Sequence, residues 1–331
     1  MQIDELIAEI EQLFPLQWAA AWDRSGVQVA ASRKVAHKVA VGLDPVPAMI
    51  DPALAWGADF LLVHHPVALK PELPARHNDY NRVLGALFRH DAWLYAAHTS
   101  LDVQPDGPVR WLARELGLEN ISILEEVGRR SGRWFRFLGH AEQIERIGRS
   151  LAKHPGLDVY PIGARILEVV AAPGAEHAVR NAVSGLEKGM AHMISQELDM
   201  PGEAIGFGFV GDLRQPMPWE LFLEYLKQVL DMPPRALVGT PPDAVSRVAC
   251  CPGSGASLLG LVGQSRAQVY VTGDLKYHDA LAVRDQPFMV VDAGHFSLEE
   301  RMMREFAGTL RHKLDPHGVE VAFFAGINPF G

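Results

Sequence analysis

Two stretches of this chain match each other without a gap, and that match constrains the fold more than any single element. Residues 39–65 lie on residues 248–274 at a constant offset of 209, with Val39-Ala40 on Val248-Ala249 and Phe60-Leu61-Leu62-Val63 on Val269-Tyr270-Val271-Thr272. The match resumes where residues 94–102 face 291–299 at an offset of 197, so the second copy is 12 residues shorter between its two blocks. There His98, Ser100, Leu101 and Asp102 fall on His295, Ser297, Leu298 and Glu299. In the first copy, residues 38–43 read as a strand and Asp44-Pro45-Val46-Pro47 opens a helix, with Asp44 as its N-cap. The helix ends at Gly57, and a buried strand follows to Val63. A strand–helix–strand unit of this length implies a right-handed crossover and parallel pairing. The second copy offers strands at 245–251, 268–272 and 288–291, then a helix from near His295 to about Arg311.

Between the copies the pattern changes. Residues 133–138, 157–160, 166–171 and 191–198 read as strands, and 141–153 and 175–184 as helices. That order, β-α-β-β-α-β, is the ferredoxin-like arrangement. The expected fold is therefore α/β: two related halves with mixed or parallel sheets, residues 1–128 and 201–331, and an inserted ferredoxin-like α+β lobe at 129–200. Amphipathic helices are further expected at 3–14, 108–117 and 218–230.

Composition narrows the function. Of the 331 residues 48% are hydrophobic and 21% charged, as in a globular protein with ample core. A net charge of −9 disfavours a broad phosphate-binding face, so DNA is not an expected partner, while a local basic patch remains compatible with it. Cys250 and Cys251 are adjacent in an apolar run and read as buried core residues, which suits a reducing compartment. No apolar run approaches the ~18 residues of a membrane helix. The acidic start Met1-Gln2-Ile3-Asp4-Glu5 enters a helix rather than a secretory signal, so a cytoplasmic location is expected.

The polar residues gather where strands end, and ligands of open α/β sheets lie beyond those carboxyl ends. His64-His65 follow a buried run, and Pro66 holds His65 extended. Neighbouring strand side chains point to opposite faces, so the backbone must bend for both imidazoles to serve one site. The pair reads either as an ordinary polar turn or as one imidazole for each of two adjacent ions. His295 and Glu299 stand four apart and share a face if a helix begins near His295. Two histidines, a carboxylate and a His-xxx-Glu pair form a mixed nitrogen and oxygen set suited to Zn, Fe, Mn, Co or Ni, with no thiolate to favour a closed structural zinc. Two ions ~3.5–4 Å apart under a bridging carboxylate can activate a water at neutral pH. His98 reads either as the counterpart of His295 or as an outer group orienting Asp102 or a water. Lys276, His278 and Asp279 read as substrate contacts or as a solvated helix start. The small-residue turn 251–257 reads as an anion cradle or as a tight strand-to-helix turn.

Five blocks in this order resemble the Nif-three-like (NGG-interacting factor three) family of dinuclear-metal proteins, some members of which are described as GTP cyclohydrolase 1 type 2-like. They are Trp22-Asp23-Arg24-Ser25-Gly26-Val27-Gln28, Leu62-Val63-His64-His65-Pro66, Ala97-His98-Thr99-Ser100-Leu101-Asp102, the block 271–279, and 292–299. The resemblance covers about residues 1–128 and 200–331. It implies metal ligands at His64, His65, Asp102, His295 and Glu299, with Glu299 bridging two divalent ions per subunit. It also implies a toroidal homohexamer whose sites face an internal cavity. Arg24 departs from the pattern, which usually has Asn there. The chemistry that follows is metal-dependent hydrolysis of a nucleotide or small phosphorylated compound, with His98 or His278 transferring a proton. The competing reading is a non-enzymatic metal-binding ring that holds partner proteins or a regulatory ligand.

Overall fold

The sequence repeat is a repeat of hydrogen bonds. In the structure, a computed structural model that describes residues 1–184, 191–198, 202–230 and 232–330, the strand Lys38–Gly42 runs parallel to Phe60–Val63 with Val39 opposite Phe60. In the second copy Ala244–Ser254 runs parallel to Val269–Gly273 with Val248 opposite Val269. Side chains repeat as well. The Asp59 carboxylate accepts the N–H groups of His37 and Lys38, and Gln268 Oε1 accepts those of Ser246 and Arg247, 209 residues on.

The third strand of each copy shows where the sequence match slips. Trp93–Ala96 places Trp93 opposite Phe60, and Met289–Asp292 places Met289 opposite Val269, an offset of 196 rather than 197. His98 accordingly precedes its helix, Thr99–Asp102, whereas His295 is the first residue of the helix His295–Leu314. The identities at 98–102 and 295–299 match side chains, not backbone positions.

Residues 1–127 and 206–331 form one unit and 128–205 another. The first unit holds a five-stranded sheet in the order Gly26–Val29, Trp93–Ala96, Phe60–Val63, Lys38–Gly42, Glu320–Phe323. A six-stranded sheet runs Ala236–Val238, Met289–Asp292, Val269–Gly273, Ala244–Ser254, Glu203–Pro218, Glu119–Arg130. Each copy carries an antiparallel strand against its third parallel strand, Gly26–Val29 in one and Ala236–Val238 in the other. The helix His295–Leu314 buries Leu298, Met302, Phe306 and Leu310 in the main core, the stripe expected of a core-facing helix. Gly294, at φ +82, lets the chain turn into that helix, and its N–H donates to Asp292 Oδ1.

The second unit carries an antiparallel sheet in the order Leu157–Ile162, Ile166–Ala171, Arg133–Gly139, Ala191–Glu197, with helices Ala141–Leu151 and Glu176–Ser184. Phe135, Phe137, Ile144, Ile147 and Val169 fill its own core. Residues 185–190 and 199–200, inside the expected lobe, lie outside the described residues.

Two expected elements differ. The helix expected at 108–117 is a short 3-10 turn, Pro108–Arg110, followed by Trp111–Glu115. Asp44 does not cap the following helix, which is Pro47–Trp56 with Val46 at its N-cap; its carboxylate is drawn to His65 instead. No helix among the described residues is long and apolar enough to cross a membrane.

Candidate metal centre

Four imidazoles converge beyond the ends of the parallel strands, and each is tied at Nδ1. His64, fully buried, places Nδ1 2.9 Å from the Ala97 carbonyl oxygen. His65 Nδ1 lies 2.7 Å from Asp44 Oδ1, His295 Nδ1 2.8 Å from Asp274 Oδ2, and His98 Nδ1 2.7 Å from Asp23 Oδ1. With an acceptor on each Nδ1–H, the neutral ring keeps its lone pair on Nε2, the arrangement that orients metal-ligating histidines.

Those lone pairs point at one another. Glu299 Oε2 lies 2.8 Å from His295 Nε2 and 3.1 Å from His65 Nε2, and the two Nε2 atoms are 3.4 Å apart. His64 Nε2 stands 3.6 Å from Asp102 Oδ1 and 3.7 Å from Glu299 Oε1. Both His64 Nε2 and Glu299 Oε2 are buried with no hydrogen-bond partner. Buried acceptors facing acceptors are unfavourable unless positive charge lies between them.

Protons supply that charge in the metal-free protein. Burial opposes an imidazolium at His65, yet Asp44 and Glu299 push it up to about 10; His295, likewise penalised by burial, is raised to about 9 by Glu299 and Asp274. Against the cost of burial, His64, His295 and His65 hold the Glu299 carboxyl well below the usual carboxylate range. Asp102 goes the other way, raised by burial and by the nearby Glu299 charge despite His64. A divalent cation would take the place of the protons, and the donor chemistry fits one. Two groups, His64–His65–His98 and His65–His295–Glu299, each bring their donor atoms within 4.8 Å of one another.

Backbone shape makes room for this cluster. Gly253, at φ +71, is the residue whose Cβ would run into the Glu299 carboxylate. The Asp23 side chain, buried beneath His98, also accepts from Ser25 Oγ, Thr99 N–H and Thr99 Oγ1. Burial works against its charge, but His98, Ser25 and Thr99 hold it well below the carboxylate range.

The structure thus brings His64, His65, His98, Asp102, His295 and Glu299 together, beside a cavity of about 570 Å³ that all but His64 line. His278 is not brought there. It sits exposed on the helix Tyr277–Val283, its ring 5.4 Å from that of Tyr277. The carboxylates that orient the imidazoles, Asp44 and Asp23, and the clearance at Gly253 escaped the sequence reading. The sequence carried no separate signal for Asp44, whose counterpart in the repeat is Gly253 and whose place before Pro45 reads as an N-cap. In the turn 251–257, Gly255 N–H is spent on Thr272 Oγ1, which favours the tight turn over an anion cradle.

A pair of related α/β halves brings imidazoles and carboxylates around a cavity at their strand ends, a candidate metal site. The family described as Duf34/NIF3 (NGG1p interacting factor 3) matches residues 1–329, and the chain belongs to it. A curated relative from Halalkalibacterium halodurans, named GTP cyclohydrolase 1 type 2 homolog, is 28% identical, with 88% of this chain and 87% of that one covered. Another of that name from Staphylococcus epidermidis is 26% identical over 92% and 91%. Among solved structures, a Bacillus cereus protein related to NIF3 shares 27% identity at a TM-score of 0.79, covering 99% of this chain and 98% of that one. A Staphylococcus aureus protein, 23% identical at a TM-score of 0.71, covering 99% and 97%, shares the fold.

Proposed function

We propose that this chain holds two divalent metal ions between His64, His65, His98, Asp102, His295 and Glu299, and uses them to hydrolyse a nucleotide or small phosphorylated compound. The observation that carries the reading is the convergence of the His65, His295 and Glu299 acceptors, with the partnerless His64 Nε2 beside them. The ions would supply Lewis acidity and a water activated at neutral pH. The chain's own residues do the rest. Asp44, Asp274 and Asp23 keep the imidazoles in the Nδ1–H tautomer, with Nε2 left to donate its lone pair, and fix their planes. Glu299, opposite both His64 and His65, would be the carboxylate shared by the ions. His98 receives the same treatment at Nδ1 as the other imidazoles, so we group it with the ligands. The names of the curated relatives, GTP cyclohydrolase 1 type 2 homolog, support a nucleotide as the first substrate class to try.

The test is a hydrolysis screen over nucleotides and phosphoesters, run on metal-loaded protein and on the same protein stripped by chelator. Turnover that disappears with the metal and returns on reloading supports the proposal. No metal-dependent turnover across the screen would leave the metal-binding scaffold as the better reading. We further propose a homohexameric ring with the sites facing inward; sedimentation of a monomer or dimer at working concentration would contradict it.

A further inference from the structure

Asp274 stands apart from the other carboxylates that orient imidazoles, because its backbone is strained. Its φ of +55 lies in the left-handed region, which an aspartate adopts only at a cost. Such a residue persists where its surroundings fix it. On one side, the Leu275 N–H donates to Asp292 Oδ2 at 3.1 Å and fixes the backbone beyond it. On the other, Arg235 Nη1 lies 3.8 Å from Asp274 Oδ1, while Oδ2 of the same carboxylate is 2.8 Å from His295 Nδ1. Each oxygen of Asp274 thus has its own partner, the cation for one and the imidazole for the other. Asp44, the acid that orients His65, meets no arginine or lysine among the described residues.

Arg235 is itself held in place. Pro233 and Pro234 stiffen the approach to it, and its N–H donates to the Asp292 carbonyl at 2.7 Å. Its side chain runs across Gly294, where an added Cβ would come within 3.0 Å of Arg235 Cδ. Its guanidinium lies 4.3 Å from the centre of the Phe330 ring, a cation–π contact. Phe330 is exposed, so this contact is not a by-product of core packing.

The segment 324–330 that carries Phe330 is seated along the ligand-bearing helix. The Phe324 N–H donates to the Val41 carbonyl of the first half at 2.8 Å, and its ring meets that of Trp56 at 5.7 Å. The Gly326 N–H donates to Glu300 Oε1 at 2.8 Å, and a Cβ there would press on the Phe296 ring. Phe296 and Glu300 are the immediate neighbours of His295 and Glu299. The segment therefore starts on one half of the repeat, passes the first turns of the helix and ends on Arg235 of the other.

We propose that Arg235 is a positioning residue that orients His295 through Asp274, and that the segment 324–330 is the strap that lays Phe330 over Arg235. This rests on the metal-site reading in that His295 is taken as a ligand. The ion pair is partly exposed, and pairs of that kind add little to stability. Its effect is on the direction of one imidazole, which a metal reads more sensitively than the fold does.

The test follows Arg235→Ala, Arg235→Lys and Phe330→Ala in the whole chain by two readouts. Zinc affinity, measured by competition with a chromogenic chelator, is expected to fall about threefold to tenfold in Arg235→Ala and to recover in part in Arg235→Lys. Phe330→Ala should weaken it about twofold and add nothing in the Arg235→Ala background, because the strap acts through the arginine. The second readout needs no metal: carbethoxylation of His295 in chelator-stripped protein, followed by peptide mass spectrometry. Its rate should rise several-fold in Arg235→Ala, with the exposed His90 as the unchanged standard. An Arg235→Ala chain whose His295 rate equals the parent's overturns the proposal, whatever its zinc affinity. So do a lysine variant no better than alanine and additive losses in the double variant. A denaturation midpoint that falls in step with zinc affinity also overturns it, since Arg235 is then merely structural. A parent that binds no zinc, with the His295 rate still responding to Arg235→Ala, would count against the metal reading and leave the positioning role standing.

Discussion

The two halves of the repeat share a backbone but divide the chemistry. At the position where the first half has Asp59, whose carboxylate takes two backbone N–H groups and an ion pair with Arg33, the second has Gln268, which takes the equivalent two as a neutral amide. At the end of the next strand, the first half has His65 and the second, 209 residues on, Asp274. His65 faces Glu299, while Asp274 orients His295. Asp44, which orients His65, corresponds to Gly253, which clears space for Glu299. The lesson is that hydrogen-bond register is held by the fold, whereas strand-end positions are free to exchange a ligand for its support or for empty space.

That division can be broken by substitution. The largest effect is expected at Gly253→Ala, where the new Cβ occupies the place of the Glu299 carboxylate and the positive φ adds strain. Metal analysis should find most of the metal gone, while Asp44→Ala at the corresponding position retains part of it; retention of full occupancy by Gly253→Ala would show that Glu299 can move without loss. Next come the structural counterparts. Asp59→Ala leaves the His37 and Lys38 N–H groups and Arg33 without their acceptor and should cost about 3 kcal/mol. Gln268→Ala removes a neutral acceptor and should cost about 1 kcal/mol. Denaturant midpoints that rank these two the other way would break the equivalence. Asp44→Asn and Asp274→Asn should each weaken metal binding by about tenfold to a hundredfold, by symmetrical amounts if the two carboxylates do the same work. Competition with a chromogenic chelator measures this.

The smallest expected effect is on pH dependence. His65 and His295 in the metal-free protein are raised to about 10 and about 9, above their unfolded values near 6.5. Their protonated contacts therefore contribute stability that is fully present below about pH 6.5 and is lost as pH rises through 9 to 10. Metal binding requires the opposite protonation state and releases those protons. The thermal stabilisation by added metal should thus be greater at pH 9 than at pH 7, and calorimetry at pH 7 in buffers of different ionisation enthalpy should show proton release. A metal effect independent of pH would detach these imidazoles from the ions.

Much of this was legible before folding. Apolar runs ending in His64-His65 and His295-xxx-Glu299 marked the cluster because strand ends collect ligands and a four-residue spacing shares a helix face. The lobe was legible from its alternating strands, down to Ile166–Ala171 with its buried Leu167, Val169 and Ala171. Asp44 was not, because an acid ahead of Pro45 and Pro47 carries the same local signal as an N-cap, and only the tertiary position of His65 decides its role. Gly253, in a run of small residues, showed a turn but not what the missing side chain makes room for. The strand Glu119–Arg130 was hidden by its mostly polar and half-exposed residues, which carry no clear alternation. The slip of one residue between 196 and 197 arose because matching polar identities outweighed the register of short apolar strands, which only backbone pairing reveals.

The central claim is that the buried acceptors of both halves exist to hold metal. Its most direct test is elemental analysis of the purified chain beside Glu299→Ala, which removes the one carboxylate among the described residues that faces His64, His65 and His295 together. Two ions per chain in the parent, with most of that content lost in the variant at unchanged secondary structure, is the result predicted. A parent protein that binds no divalent metal, or a Glu299→Ala chain that keeps its full complement, would contradict it.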